Sequence, residues 1–259
     1  MIADSATATV PGTRSKSMKQ ARHLLVCGII ALAVAVRGAE PKSVEAVVQS
    51  VMSEEAELRG VPFSEVIQAA TGKRILPVDA GDAATRELLG KISGALDKTL
   101  ARMNAPDSPA HAERRVNEVS AHFERALLAA LNEVPGFVCE HPKTAAGKAQ
   151  RSGYPDLRLT DRATGRIVYL DPKLFEQGSR NSTLRTFYYE PKRETNKVLD
   201  DAHHLLAGFA HAGKVDGQWR FISWELVDLS KFRVRLKAEF QGSNRDLYQP
   251  EAVVRRGAH

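Results

Sequence analysis

Cysteine is scarce in this chain, with two residues in 259, Cys27 and Cys139. Cys27 lies inside the apolar run of residues 24–36, and if that run is removed as part of a leader, Cys139 is left alone. A lone thiol makes no intrachain disulfide, so the folded part must rely on its core. Cys139 itself sits in Gly136-Phe-Val-Cys-Glu140, which reads as a strand, and there cysteine is an ordinary buried residue rather than a nucleophile. The run 24–36 is also shorter than the about 20 apolar residues that a membrane span needs. No phosphate-binding loop is present: Thr71-Gly72-Lys73-Arg74 imitates one, but Ile67 stands where a glycine is required. The histidines are not spaced for a metal. His203 and His204 are adjacent and point different ways, and on a helix His204 and His211 are two turns apart, about 10 Å. Nor does charge of one sign dominate, with 37 Lys and Arg against 31 Asp and Glu and a net charge of +6. That balance permits a polyanionic partner without demanding one.

What the N-terminus does have is a basic start, Lys16, Lys19 and Arg22, then the apolar run, then Arg37-Gly38-Ala39-Glu40. This is the pattern of a secretory signal over about residues 18–39, cut after Ala35, Gly38 or Ala39. It predicts a periplasmic or secreted protein with no stable membrane span after cleavage; a start assigned too far upstream would instead leave the protein cytoplasmic. The chain then divides into a leader (1–39), a helical accessory region (40–105), a main domain (106–245) and a tail (246–259). Helical patterns cover residues 43–58 and 62–70, and a third starts at Asp82, a good N-cap, and carries Leu88, Leu89, Ile92, Leu96, Leu100 and Met103. The tail shows no periodicity from Gln241 onward.

The main domain is organised around Ser152-Gly-Tyr-Pro-Asp156-Leu-Arg-Leu159 and Arg166-Ile-Val-Tyr-Leu-Asp171-Pro172-Lys173-Leu-Phe175. Both halves read as strands, joined by the turn formers of residues 160–165. Side chains alternate along a strand, so Asp171 and Lys173 share a face with Ile167 and Tyr169, while Val168, Leu170, Pro172 and Leu174 take the other. The second strand is therefore apolar on both faces and turns polar only at its C-terminal end, where Asp156 can meet Asp171 across the hairpin. A structural salt bridge is the plain account of Asp-x-Lys on a strand. The sharper account is a divalent-metal site, because two carboxylates a few ångströms apart repel by roughly 1–4 kcal/mol and a hard cation reverses the sign. Upstream, Val116, Val119, Phe123, Leu127, Ala130, Leu131 and Val134 form an apolar helical stripe, with Glu124 at its edge and able to reach the sheet. Ser108-Pro109 supplies an N-cap and first helical position, predicting that this helix begins there and runs to about Glu133.

The ordered set Glu124-Arg125-x-x-Leu128-x-x-Leu131, Gly136-Phe-Val138, Ser152-Gly-x-Pro155-Asp156 and Asp171-x-Lys173 resembles the PD-(D/E)XK nucleases, the superfamily of archaeal Holliday junction resolvases and many restriction endonucleases. The likeness covers about residues 113–175. It implies an α/β nuclease-like core, a central mixed sheet flanked by helices, with the N-terminal helical region added to it. It further implies that Glu124, Asp156 and Asp171, with the Pro172 carbonyl, hold Mg²⁺ or Mn²⁺, and that Lys173 positions or activates the attacking water. Pro172 departs from the pattern, which has a β-branched or small apolar residue there. A proline gives no hydrogen bond to a neighbouring strand, which puts strand pairing in question more than metal binding.

Beyond the motif, residues 141–151 form a basic loop bringing Lys143, Lys148 and Arg151 toward the site. Residues 184–189 read as a strand, 196–212 as a helix, and 219–229 and 231–240 as strands. The last alternates, with Arg233 and Arg235 on a basic face that either deters aggregation or tracks a nucleic-acid backbone. Three functions follow: a metal-dependent nuclease acting on DNA or RNA, a non-catalytic nucleic-acid-binding protein of the same fold, or an exported structural or interaction protein. The oligomeric state is left open, a homodimer included.

Overall fold

The computed structural model describes residues 43–54, 59–237, 239 and 241–256. The expected signal at 18–39 lies outside them. The chain divides into two compact units, residues 1–49 and 50–259. Of the first, only 43–49 are described, the start of helix α1 (Val44–Glu54). The second runs through strand β1 (Val61–Pro62), helices α2 (Phe63–Thr71), α3 (Ala83–Asn104) and α4 (Val116–Asn132), strands β2 (Phe137–Glu140), β3 (Leu157–Asp161), β4 (Arg166–Glu176), β5 (His203–Val215), β6 (Gln218–Asp228) and β7 (Arg233–Val234), and helix α5 (Asn244–Leu247).

Five strands form one mixed sheet in the order β2-β3-β4-β5-β6. Only β4 and β5 are parallel; the other pairs are antiparallel. The side-chain alternation along β4 sorts two cores. Val168 and Leu170 join Leu157, Leu159, Leu205 and Phe209 beneath α3 and α4. Tyr169 and Ile167 face the other way, toward Phe63 and Ile67 of α2. The predicted stripe of α4 is what meets the sheet: Val119, Phe123, Leu127, Ala130 and Leu131 are buried. Phe123 wedges between the rings of Phe209 and Phe221, each 4.6 Å away, and truncating such a residue costs about 3–5 kcal/mol. Among the described residues no helix is long and apolar enough to cross a membrane.

Asp82 caps α3 as expected, its side chain accepting from the Thr85 amide at 2.9 Å. The last residues of α3 and α4 are both asparagines that clasp the outer strands. Asn132 donates to the Cys139 carbonyl at 2.9 Å and accepts from the Cys139 amide at 2.9 Å. Asn104 does the same for Phe221 of β6, at 2.9 and 3.0 Å.

Four sequence expectations are corrected. Ser108-Pro109 opens a one-turn 3-10 helix, Pro109–Ala112, and α4 starts only at Val116, where Glu118 accepts from the amides of Arg114 and Arg115. Residues 184–189 are irregular: Phe187 and Tyr189 turn inward edge-on to Phe63, with centroids 5.1 and 5.5 Å away, instead of joining the sheet. The expected helix at 196–212 is an irregular stretch followed by β5, whose first half is buried on both faces. Such a strand is apolar at nearly every position and so also satisfies a helical pattern. On β5 the seven residue steps from His204 to His211 span about 23 Å, so the two remain too far apart to share a metal. Of the expected strand at 231–240, only Arg233–Val234 pairs, with β1. In the tail, Ser243 caps the single turn of α5.

Candidate active site

The β3–β4 hairpin pairs Leu157 with Leu170, and Asp156 stands one residue beyond that last pair, next to Asp171. From Asp171 onward β4 pairs with β5 alone, its register passing through Pro172↔Ala207 without a shift. Pro172 thus has no strand on one side, the setting in which a proline is tolerated in a sheet. The doubt it raised about pairing is removed.

Lys173 joins the two carboxylates. Its Nζ is 2.6 Å from Asp171 Oδ2 and 3.4 Å from Asp156 Oδ2. Asp171 is 2 % exposed, and its Oδ2 accepts no hydrogen bond of acceptable geometry, so the short contact with Lys173 is an ion pair rather than a directed bond. Burial pushes the Asp171 carboxyl above its usual range; Lys173 opposes the shift and Asp156 reinforces it. Burial also works against the Lys173 ammonium, but Asp171 and Asp156 outweigh it and hold its pKa above the ordinary lysine value. Lys173 therefore keeps its proton, while burial works against ionisation of Asp171 beside it.

Glu124 arrives from α4. It lines a cleft of about 330 Å³ together with Ser120 one turn earlier on the same helix, Asp156, Pro172 and Lys173 of the hairpin, and Arg185 and Thr186 of the irregular stretch after β4. Asp171 lies beneath, behind Lys173. Glu124 Oε1 is 3.3 Å from Arg151 Nη2 and 3.3 Å from His141 Nδ1. That same Nδ1 is 3.3 Å from the Asp156 carbonyl. Both neighbours of Nδ1 are acceptors, so this nitrogen carries the proton, and His141 ties the helix carboxylate to the backbone of the hairpin. His141 and Arg185 were missed in the sequence. A single histidine after a strand, or an arginine in an irregular loop, carries no pattern that would mark it.

The remaining predicted residues are dispersed. Lys143 and Lys148 are exposed on a turn closed by the Thr144–Lys148 backbone hydrogen bond. Arg151 reaches the site only through Glu124. Arg233 bonds the Gly60 carbonyl beside the β1–β7 ribbon, and Arg235 is exposed. None of these five lines the cleft. A larger cavity of about 500 Å³, lined in part by Asp82, Arg166, Asp201 and His203, holds none of the motif residues. Of its charged groups, Asp82 pairs with Arg166 at 2.7 Å and Asp201 with Arg74 at 2.8 Å, and Asp79 Oδ1 accepts from the Gly81 amide at 2.8 Å.

Among the described residues no group of three or more His, Cys, Asp and Glu side chains is drawn together closely enough to hold a metal ion. The donors themselves suit a hard cation: carboxylate oxygens, a main-chain carbonyl, and a buried Asp171 oxygen without a hydrogen bond. Lys173, Arg151 and His141 occupy these carboxylates with positive or proton-donating groups.

A family model described as the type II restriction enzyme MjaV family matches residues 56–251. The type II restriction enzyme MjaV of Methanocaldococcus jannaschii is 30% identical over 204 residues, which cover 75% of this chain and 87% of that protein. Sequence, sheet topology and motif order agree: the chain belongs to the MjaV family of type II restriction enzymes, and with it to the PD-(D/E)XK restriction-enzyme-like superfamily.

Proposed function

We propose that this protein is a metal-dependent endonuclease that hydrolyses phosphodiester bonds in DNA. The observation that carries the reading is the Asp156–Lys173–Asp171 unit at the edge of a cleft that Glu124 enters from the opposite element. The name of the Methanocaldococcus jannaschii relative, a restriction enzyme, points to DNA rather than RNA. Glu124, Asp156, Asp171 and the Pro172 carbonyl are the residues that would hold Mg²⁺ or Mn²⁺, which when bound lowers the pKa of a coordinated water and neutralises charge on the phosphate. Lys173, fixed by the buried Asp171, points its ammonium into the cleft, where it orients the water and stabilises charge developing on the phosphoryl oxygens. Besides its place among those ligands, Asp171 holds that lysine in place and favours its protonated form.

Thermal melting with and without Mg²⁺ or Mn²⁺, beside cleavage assays on DNA and RNA, tests the reading. The unmodified protein should melt higher with metal, by the usual linkage of ligand binding to folding. Asp156→Asn and Asp171→Asn should lose that rise together with cleavage, which falls by orders of magnitude. A metal-insensitive melt and no cleavage of any substrate would leave a nucleic-acid-binding or structural protein instead. The export signal at 18–39 is a separate proposal, and sequencing the N-terminus of the mature protein decides it: an intact start in the soluble cytoplasmic fraction overturns it.

A further inference from the structure

Lys197 lies in the irregular segment that precedes β5, and it is 1 % exposed, among the largest fully buried side chains of the protein. A buried ammonium is costly unless charges and hydrogen bonds offset it. Its Nζ donates to one atom, the Gln150 carbonyl at 3.4 Å, and among the described residues it pairs with no carboxylate at contact distance. The main chain around it is fixed on both sides. Ala145 N donates to the Asn196 carbonyl at 2.7 Å, and Leu199 N donates to the Tyr169 hydroxyl at 2.9 Å. The lysine is thus held between the basic turn that leads to Arg151 and the strand that carries Asp171. The charges that act on it are those of the site: Asp156, Asp171 and Glu124 favour its ammonium and Lys173 opposes it, while burial, the largest influence, lowers its pKa.

We infer that Lys197 is a positioning residue of the active site, a second lysine whose buried ammonium balances Glu124, Asp156 and Asp171 and against which a divalent cation must bind. The inference rests on the nuclease reading above. Lys173 engages Asp156 and Asp171, and the exposed Arg151 reaches Glu124 from the solvent side; Lys197 adds a positive charge from the buried side, where the repulsion among the three carboxylates of the metal-free site is least screened. The same charge repels an incoming dication, so the lysine sets how much metal the site requires. A lysine that only tied down the Gln150 loop would have no such effect on metal affinity.

The sign of the effect makes it testable on the full chain with Mn²⁺ alone as the probe, by isothermal titration calorimetry. Lys197→Met keeps the length and removes the charge. It should bind Mn²⁺ about tenfold tighter than the unmodified protein, the scale of losing one like charge within the site. Its metal-free form should melt lower, and the Mn²⁺ concentration for half-maximal cleavage should fall in parallel. Lys197→Arg, which keeps the charge, should retain the original affinity. If Lys197→Met does not fold without metal, Lys197→Gln takes its place in the same titration. Unchanged or weaker Mn²⁺ binding by the uncharged variant overturns the role of Lys197. Should the unmodified protein bind Mn²⁺ and Asp171→Asn not, the nuclease reading survives that failure; should the unmodified protein not bind Mn²⁺ at all, both fall.

Discussion

His204 is fully buried in β5, its Nδ1 2.7 Å from the Tyr154 hydroxyl and its Nε2 without a hydrogen-bond partner. Burial depresses its pKa from 6.5 to about 3, and burial likewise pushes the Tyr154 phenol well above its usual value. Both groups stay neutral in the fold. Between about pH 3 and 6.5 the unfolded chain therefore binds a proton at this histidine that the folded chain does not, and stability rises with pH across that window. Lowering the pH from 7 to 4 should cost up to roughly 3 kcal/mol through this residue. His204→Gln should flatten that part of a urea-denaturation series measured against pH. At the site, Lys173→Met should leave the Mn²⁺-induced rise in melting temperature in place while turnover falls by orders of magnitude, because the ammonium acts on water and phosphate rather than on the cation. A salt bridge with only a structural role predicts the reverse, lost stability with no response to metal. Asp156, Asp171 and Lys173 were legible in the sequence because strand alternation alone places two of them on one face and a hairpin brings the third beside them. His141 and Lys197 were not, since their roles come from the closing of one loop over another, which no local spacing records.

At the scale of elements, Asn104 and Asn132 each end a helix and each satisfy both the amide and the carbonyl of one strand residue. Replacing either by alanine leaves two backbone groups without partners, and a loss of about 1–3 kcal/mol for each is expected. Chemical denaturation of Asn104→Ala and Asn132→Ala measures it, and near-additivity is expected because the two sit on opposite borders of the sheet. Two helices, the β3–β4 hairpin and β6 were readable. Asp82 and the stripe from Val119 to Leu131 carry both a cap and a period, and the structure matches them closely. The strand β5 was not read, although a signal was available: Asp216 (φ 51) and Gly217 (φ 80) form the two-residue turn to β6, and an Asp-Gly pair between apolar runs is among the strongest hairpin signs. Taken with Trp219 and Phe221 beyond it, that turn argues for a strand before it and against a helix. The irregular stretch 184–189 misled for a related reason: aromatic and β-branched residues favour strands, yet here Phe187 and Tyr189 serve a core on the far face of the sheet.

At the scale of the whole molecule, the net charge of +6 is modest, and the DNA binding proposed above would draw on where the charge sits. Lys143 and Lys148, exposed on the turn that leads to Arg151, are expected to contact phosphates; neutralising both should reduce the slope of log affinity against log salt by about 0.9 for each lost contact. Fluorescence anisotropy on a duplex between low and high salt reads this, and an unchanged slope removes that turn from the interface. The asparagine clasps carry a further meaning for assembly. A five-stranded open sheet has two borders at which a second molecule could continue the ladder, and that is the simplest route by which β proteins dimerise or aggregate. Here the backbone of Cys139 on one border and of Phe221 on the other is already taken by a side-chain amide of the same chain. A second copy of this protein that seeks to pair side by side meets an occupied position partway along each border. For the nuclease proposed above, a homodimer built by pairing sheet borders would have to interrupt its ladder at Cys139 or Phe221, a cost that contacts through helix or loop surfaces do not carry.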